Sequence, residues 1–257
     1  MNQHTNDSKG MNLAIENYGV VKELQYDYAL LPWGATEPHN YHLPYLTDCY
    51  LAQSIAVDSA VQAFDKYGVR GMVLPAVPFG SQNPGQSNQP FCIHGSYDTQ
   101  RYILRDIVES LLRQGITKLV IINGHGGNNF KNMIRDFVIS HPGMTIFTCE
   151  WFKLAKPKDF FEMPDDHADE LETSVLMHYH PDLVDLKTAG DGRSTTFAID
   201  ALKEGMVWTP RNWEKVAPTT GIGDPKLATA EKGKAFAAAV TKKLASFYND
   251  ILTKELY

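Results

Sequence analysis

The chain has 257 residues, 43% of them hydrophobic and 21% charged, with a formal net charge of -6. That composition is ordinary for a globular protein, and the negative balance argues against a nucleic-acid or anionic-membrane partner. No apolar run is long enough to span a bilayer, and the first ten residues lack the apolar core of a signal peptide. Cys49, Cys92 and Cys149 are scattered without CxxC spacing, which suits a reducing compartment. The expectation is a cytoplasmic protein with no membrane partner. Its length fits one domain over residues 1–257, with residues 1–18 a polar lead-in.

In chain order, the apolar run at 28–31, closed by Pro32, predicts a first strand. A loop at 37–48 holds Glu37, His39, His42 and Asp48. The pairs Leu51/Ala52, Ile55/Ala56, Ser59/Ala60 and Ala63/Phe64 predict a helix over 49–67, stopped by Gly68. Residues 72–74 and 76–77 read as the next strand. The long loop at 78–96 suggests a site or an interface, with Phe79, Phe91 and His94 as candidates to wall a pocket. A second helix runs through 103–112. The fully apolar 119–122 fits a strand covered on both faces, and the turn Asn123-Gly124-His125-Gly126-Gly127-Asn128 leads into a helix over 130–138. A further strand covers 144–149. An acidic segment at 165–174 enters a short helix, and residues 187–220 show no clear period. Asp224-Pro225 reads as a helix cap with Pro at the first position, ahead of a C-terminal helix striped by Phe236, Val240, Leu244, Phe247 and Ile251. This alternation predicts an α/β fold: one doubly wound, mostly parallel sheet flanked by helices on both faces. Sites in such sheets form at the carboxyl ends of strands, where the 37–48 and 123–128 loops both fall.

The chemistry gathers in three loops. Glu37 and His39 are two apart, so an extended backbone points both to one side. Asp48 can bridge two metals with its two oxygens, or it can simply cap the following helix; His42 can be a packed histidine. His125 is a ligand candidate, and the amides of Gly126 and Gly127, at a helix start, suit a developing oxyanion. His167 suits general acid–base work. Glu170 and Glu172 both remain open as ligands, because acids are also favoured in a first helical turn. More oxygen and nitrogen donors are present than one tetrahedral ion needs, which favours two metals.

Together the three motifs resemble the creatininase (creatinine amidohydrolase) family, whose pattern is roughly Gly-x-x-Glu-x-His-Gly-x-His-Leu-Pro-x-x-Thr-Asp, then Asn-Gly-His-Gly-Gly-Asn, then His-Ala-Gly-x-x-Glu-Thr-Ser. The chain carries Gly34, Glu37, His39, His42-Leu43-Pro44 and Thr47-Asp48, the whole 123–128 motif, then His167-Ala168 and Glu172-Thr173-Ser174. Gly223-Asp224-Pro225, Ala228-Thr229 and Glu231-Lys232-Gly233 also match a family segment. The resemblance implies a creatininase-like fold, two divalent ions (zinc or manganese, with iron as a further candidate), hydrolysis of a non-peptide C–N bond, and a homo-oligomer, commonly a hexamer. By position it makes Glu37, His39, Asp48 and His125 metal ligands, with Asp48 bridging, and His167 the catalytic histidine. Creatinine-hydrolysing members carry a liganding glutamate where this chain has Gly127, so Glu172 is expected to complete the set, with Glu170 second. Asn40, Tyr41 and Leu46 replace Gly, Pro and Gly of the pattern, Asp169 replaces Gly, and Met163 stands where those members carry tryptophan. Other members deformylate formamidopyrimidines or trim a modified peptide, so the substrate is left open.

The resulting expectation is a dinuclear metal-dependent amidohydrolase acting on a small-molecule amide, cyclic amide or formamide, with a metal-bound hydroxide as nucleophile. The competing class is a non-catalytic metabolite-binding α/β domain in which the histidines and acids are structural.

Overall fold

The structure is a computed structural model that describes residues 10–257. Among these, β1 (Tyr28–Trp33), β2 (Gly71–Val73), β3 (Lys118–Asn123) and β4 (Thr145–Glu150) form one parallel sheet in the order β2-β1-β3-β4. Leu30 pairs with Val73 on one side and Val120 on the other, and Ile122 pairs with Cys149. All six residues of β1 are buried, as expected for a central parallel strand.

Five longer helices cover the sheet: α1 (Thr47–Tyr67), α2 (Tyr97–Arg113), α3 (Lys131–Ser140), α4 (Glu170–Tyr179) and α5 (Ala230–Thr253). Side chains alternate across a strand, and the core divides accordingly. Tyr28, Leu30, Val120 and Ile122 pack with α1, α4 and α5. Ala29, Leu31, Trp33, Leu119 and Ile121 pack with Leu104 and Val108 of α2 and Met133 and Phe137 of α3. The doubly wound expectation therefore holds. After β1 the chain crosses one face through α1; after β3 it crosses the other through α3. The adjacent carboxyl ends of β1 and β3 thus lie at a topological switch point, where such sheets leave a crevice. No helix among the described residues is long and apolar enough to cross a membrane.

Several local expectations are corrected. Helix α1 begins at Thr47, its N-cap is Leu46, and that cap makes no side-chain bond; Asp48 lies inside the first turn instead of capping it. Residues 76–77 are not strand, although Val77 makes a single bridge to Trp33. Asp224 caps only the single turn Pro225–Leu227, while Thr229 caps α5. Of the stretch read as a lead-in, residues 1–9 lie outside the described residues. Met11 is buried, and its carbonyl accepts from Val73 N at 2.9 Å. One apolar residue in a polar stretch docks there against β2.

The family-like segment near Gly233 has a packing role. A Cβ on Gly233 of α5 would lie 1.9 Å from Ser174 O of α4, so the two helix backbones touch there. Thr229 N donates to Ser174 Oγ at 3.1 Å, and Lys232 Nζ reaches Glu170 Oε1 at 2.6 Å. Gly233→Ala is expected to cost about 1–3 kcal/mol by overpacking and to lower the thermal midpoint by several degrees in calorimetry. An unchanged midpoint would contradict this backbone contact.

Candidate metal centre

Close backbone approach builds the centre. A Cβ on Gly34, just after β1, would lie 2.6 Å from Cys49 N and 2.8 Å from Asp48 Cβ; one on Gly124, just after β3, would lie 2.6 Å from Asp48 O. Only glycine lets both strand exits close on the first turn of α1. Asp48 is presented between them, 2% exposed.

Around it the side chains converge. Asp48 Oδ1 is 3.0 Å from His39 Nε2, and Oδ2 is 3.2 Å from His125 Nδ1. Glu37 Oε1 is 2.9 Å from His125 Nδ1 and 3.9 Å from both His39 Nε2 and His167 Nδ1. The remaining ring nitrogens all face backbone carbonyls: His39 Nδ1 faces Glu37 O at 3.0 Å, His125 Nε2 faces Ser81 O at 2.8 Å, and His167 Nε2 faces Pro38 O at 2.9 Å. A carbonyl only accepts, so the nitrogen facing it carries the hydrogen. Each ring therefore turns its other nitrogen toward the carboxylates.

A neutral ring so placed points a lone pair at an anion, which is repulsive unless a proton or a cation lies between them. The electrostatics say the same. Burial disfavours charge on His39, but Asp48, Glu172 and Glu37 outweigh it and lift its pKa to about 10. His125 is lifted well above its usual value, with Glu37 and Asp48 overcoming burial. Burial works against the Asp48 anion too, yet His39 and His125 hold it well below the usual carboxylate range. Asp48 Oδ2 is buried and makes no hydrogen bond among the described residues. Carbonyl-oriented imidazoles facing carboxylate oxygens fit zinc or manganese.

Three donor groups are close enough to share ions: Glu37, Asp48 and His125; His39, Asp48 and Glu172; and Glu37, His39 and His167. Asp48 is common to the first two, one carboxylate oxygen lying toward each.

The third segment is set by α4. Asp169 is its N-cap and accepts from Glu172 N at 3.0 Å. Ala168, at φ +51°, precedes it in left-handed backbone, which costs about 1–2 kcal/mol, and Ala168 N donates to Glu172 Oε2 at 2.6 Å. Glu172 is thereby turned to the centre, and burial raises its pKa, with His39 opposing. Glu170 faces away, held by Lys232 and by Met163 N at 2.6 Å. His167 lies with its ring 4.2 Å from that of His39 and 5.3 Å edge-on from that of Trp213. Burial, then His39, lowers its pKa, so it is a neutral imidazole with its Nδ1 lone pair inward.

Other expectations shift. Helix α3 starts at Lys131, so the Gly126 and Gly127 amides lie in a turn before the helix and not at its N-terminus. A Cβ on Gly127 would lie 2.1 Å from Ser81 O; the carbonyl that orients His125 thus occupies the space a glutamate would need. The inner wall of the 78–96 loop is Ser81, Gln82, Asn83 and Gln86, which line a cleft of ≈ 1280 Å³. Phe91 is 88% exposed and Phe79 partly exposed, while His94 accepts from Gln82 N. His42 is buried against Thr173 Oγ1 at 2.8 Å, outside the three donor groups.

Sequence reasoning missed several residues. Gln86 is buried and donates from Nε2 to Glu37 Oε2. Asn40, at φ +53°, exchanges two hydrogen bonds with Gly190, at 2.9 and 3.0 Å. Trp213 is buried against His167. The available signals were the length of the 78–96 loop and the departure at Asn40 from a family glycine.

Two expectations follow. Because His39 and His125 are protonated when no cation is present, and burial raises Glu172 to about 8, loading zinc near pH 7 should release about three protons. Calorimetry in buffers of different ionisation enthalpy measures this, and binding without release would contradict the assigned protonation states. Burial, then His39, lowers the His42 pKa from 6.5 to about 4. A neutral buried histidine contributes stability that is complete above the unfolded pKa and is lost as pH falls through the folded one. That window runs from 6.5 down to about 4, at most about 3 kcal/mol. His42→Gln should flatten the stability–pH curve there; an unaltered slope would contradict it.

With fold and centre in place, the chain belongs to the creatininase family: the family model for creatinine amidohydrolase matches residues 17–248. A crystal structure of a Bacteroides fragilis protein, provisionally named a creatinine amidohydrolase, is 54% identical, covers 97% of this chain and 99% of its own, and superposes with a TM-score of 0.95. The mycofactocin precursor peptide peptidase of Mycobacterium ulcerans is 27% identical over 84% of this chain and 82% of its own length. The creatinine amidohydrolase of Pseudomonas putida is 26% identical over 80% and 82%. A manganese form of creatininase and a mutant creatininase of zinc–zinc type share the fold, with TM-scores of 0.75 and 0.71 at 19% and 20% identity, covering 95% and 94% of this chain and 99% and 98% of theirs. The family assignment makes the chain an amidohydrolase with a cluster suited to metal.

Proposed function

We propose that this chain is a dinuclear metal-dependent amidohydrolase that cleaves a non-peptide C–N bond in a small amide, cyclic amide or formamide. Glu37, Asp48 and His125 would hold one divalent ion; His39, Asp48 and Glu172 would hold the other, with Asp48 shared. The observation that carries this reading is the division of the two buried Asp48 oxygens, one toward His39 and one toward His125. Zinc and manganese suit the donors, and structures of creatininase carry both metals; iron is a third candidate.

Bound there, such ions supply Lewis acidity, lowering the pKa of a water toward neutrality and polarising a carbonyl. The chain's own groups do the rest. His167, neutral and anchored through Nε2 to Pro38 O, takes a proton on Nδ1 and returns it to the leaving nitrogen. This agrees with the expectation of an acid–base histidine that protonates the leaving nitrogen; its lowered pKa favours base first and acid second. Gly126 and Gly127 line the cleft, and their amides would hold the developing oxyanion. Trp213 and the inner wall of the 78–96 loop line the same cleft. The proposal includes a single domain, a cytoplasmic location and a homo-oligomer, a hexamer by family resemblance.

Asp48→Asn tests it. The variant should stay folded, lose bound metal, and lose hydrolysis of a cyclic-amide and formamide panel by more than the roughly 10–100-fold typical of outer-sphere changes. Retained metal and turnover would instead favour a metabolite-binding domain with structural histidines.

A further inference from the structure

The 78–96 loop reaches the centre through one side chain and one carbonyl. Gln86 begins the single turn Gln86–Asn88 and is 1% exposed. Its Nε2 donates to Glu37 Oε2, and its Oε1 accepts from Asn83 N at 3.3 Å. A carboxylate only accepts and a main-chain N–H only donates, so both ends of the amide fix the same orientation. The turn itself is anchored: Gly85, at φ +83°, precedes it in left-handed backbone, and Trp213 N donates to Pro84 O at 2.8 Å. Glu37, also 1% exposed, divides its oxygens: Oε2 meets Gln86, while Oε1 lies 2.9 Å from His125 Nδ1. The carbonyl is Ser81 O, which faces His125 Nε2 at 2.8 Å. Two of the three groups assigned to one ion, Glu37 and His125, are thus held from residues 81–86. The groups of the other ion are oriented elsewhere: His39 Nδ1 faces Glu37 O, and Glu172 Oε2 accepts from Ala168 N.

On the reading that this centre holds two ions, we infer that Gln86 is a positioning residue through which the 78–96 loop tunes one ion and not the other. A hydrogen bond on Oε2 reserves that oxygen and leaves Oε1 for the ion, so Glu37 binds through a single oxygen. Outer contacts of this kind fix the orientation of a ligand and set its hold on the metal. The chemistry of the donor matters. A lysine in this place would set a positive charge against Glu37 and weaken its pull on a cation. A neutral amide orients the carboxylate and leaves its charge intact. The coupling is reciprocal, since a contact that favours the ion is favoured by it to the same degree. Occupancy beside His125 therefore firms the segment that carries Ser81, Asn83 and Gln86, which line the cleft.

Gln86→Met keeps an unbranched side chain of similar size and removes both hydrogen bonds. The full chain and this variant are titrated with zinc against a chromophoric chelator, which gives the dissociation constants in solution. Crystals of each, soaked at limiting zinc, assign those constants by anomalous occupancy beside each Asp48 oxygen. In Gln86→Met the ion beside Oδ2 and His125 should bind roughly 10–100-fold more weakly, while the ion beside Oδ1 and His39 keeps its affinity. Glu172→Gln should show the reverse pattern and weaken the ion beside His39. Equal loss at both ions in Gln86→Met, as a merely structural role would give, or no loss beside His125, would overturn the assignment. A second arm needs no variant: in the unmutated protein zinc should slow amide hydrogen exchange at Asn83 and Gln86 by at least about tenfold. Exchange there that zinc leaves unchanged would overturn the coupling. Failure of the two-ion reading is separable, because the unmutated protein would then take up no zinc or a single ion.

Discussion

A buried carboxylate between two imidazoles whose tautomers are already fixed is the constraint from which the rest of the centre follows. Among the described residues Asp48 has no lysine or arginine within salt-bridge distance, and the ion-pair partners of Glu37 and Asp48 are all histidines. Each of those histidines spends one nitrogen on a backbone carbonyl. Burying such an arrangement without compensating positive charge is costly. Protons can supply that charge, and divalent ions can supply it with better geometry for oxygen and nitrogen donors.

The fold earns its topology at this point. Parallel strands β1 and β3 end side by side, and glycines at 34 and 124 let both exits press on the first turn of α1. The 78–96 loop then closes from one side through Ser81 and Gln86, and α4 with the segment leading into it closes from the other through Glu172 and His167. Helix α5 locks α4 in place through Gly233 and Lys232. The donor side chains sit on loops and on the first turns of α1 and α4, while the sheet and helices hold them in register.

Much of this was legible from residues alone because it is periodic or local. The apolar runs of β1 and β3 and the stripe of α1 announce themselves, and the strand–helix alternation brings the 37–48 and 123–128 loops to one edge. What escaped is non-local. Gln86 meets Glu37 across 49 residues and Asn40 meets Gly190 across 150, and no spacing rule reaches that far. Spacing alone left Glu170 and Glu172 open; the start of α4 at Glu170 and the pull of Lys232 separate them. Asp48 could be read as a cap because Asp is favoured at helix starts, but the helix begins two residues before the expected start, at Thr47. Which of the gathered side chains bind metal is part of the proposal, and relatives named for a small ring compound and for a peptide leave the same centre compatible with more than one amide.

Anomalous diffraction from crystals grown with manganese and, separately, with zinc tests the central claim most directly. Two anomalous peaks flanking Asp48, one beside Oδ1 with His39 and one beside Oδ2 with His125, are the expected result. Density confined to the protein surface, or an Asp48 carboxylate bonded only to the two histidines in metal-rich crystals, would contradict it.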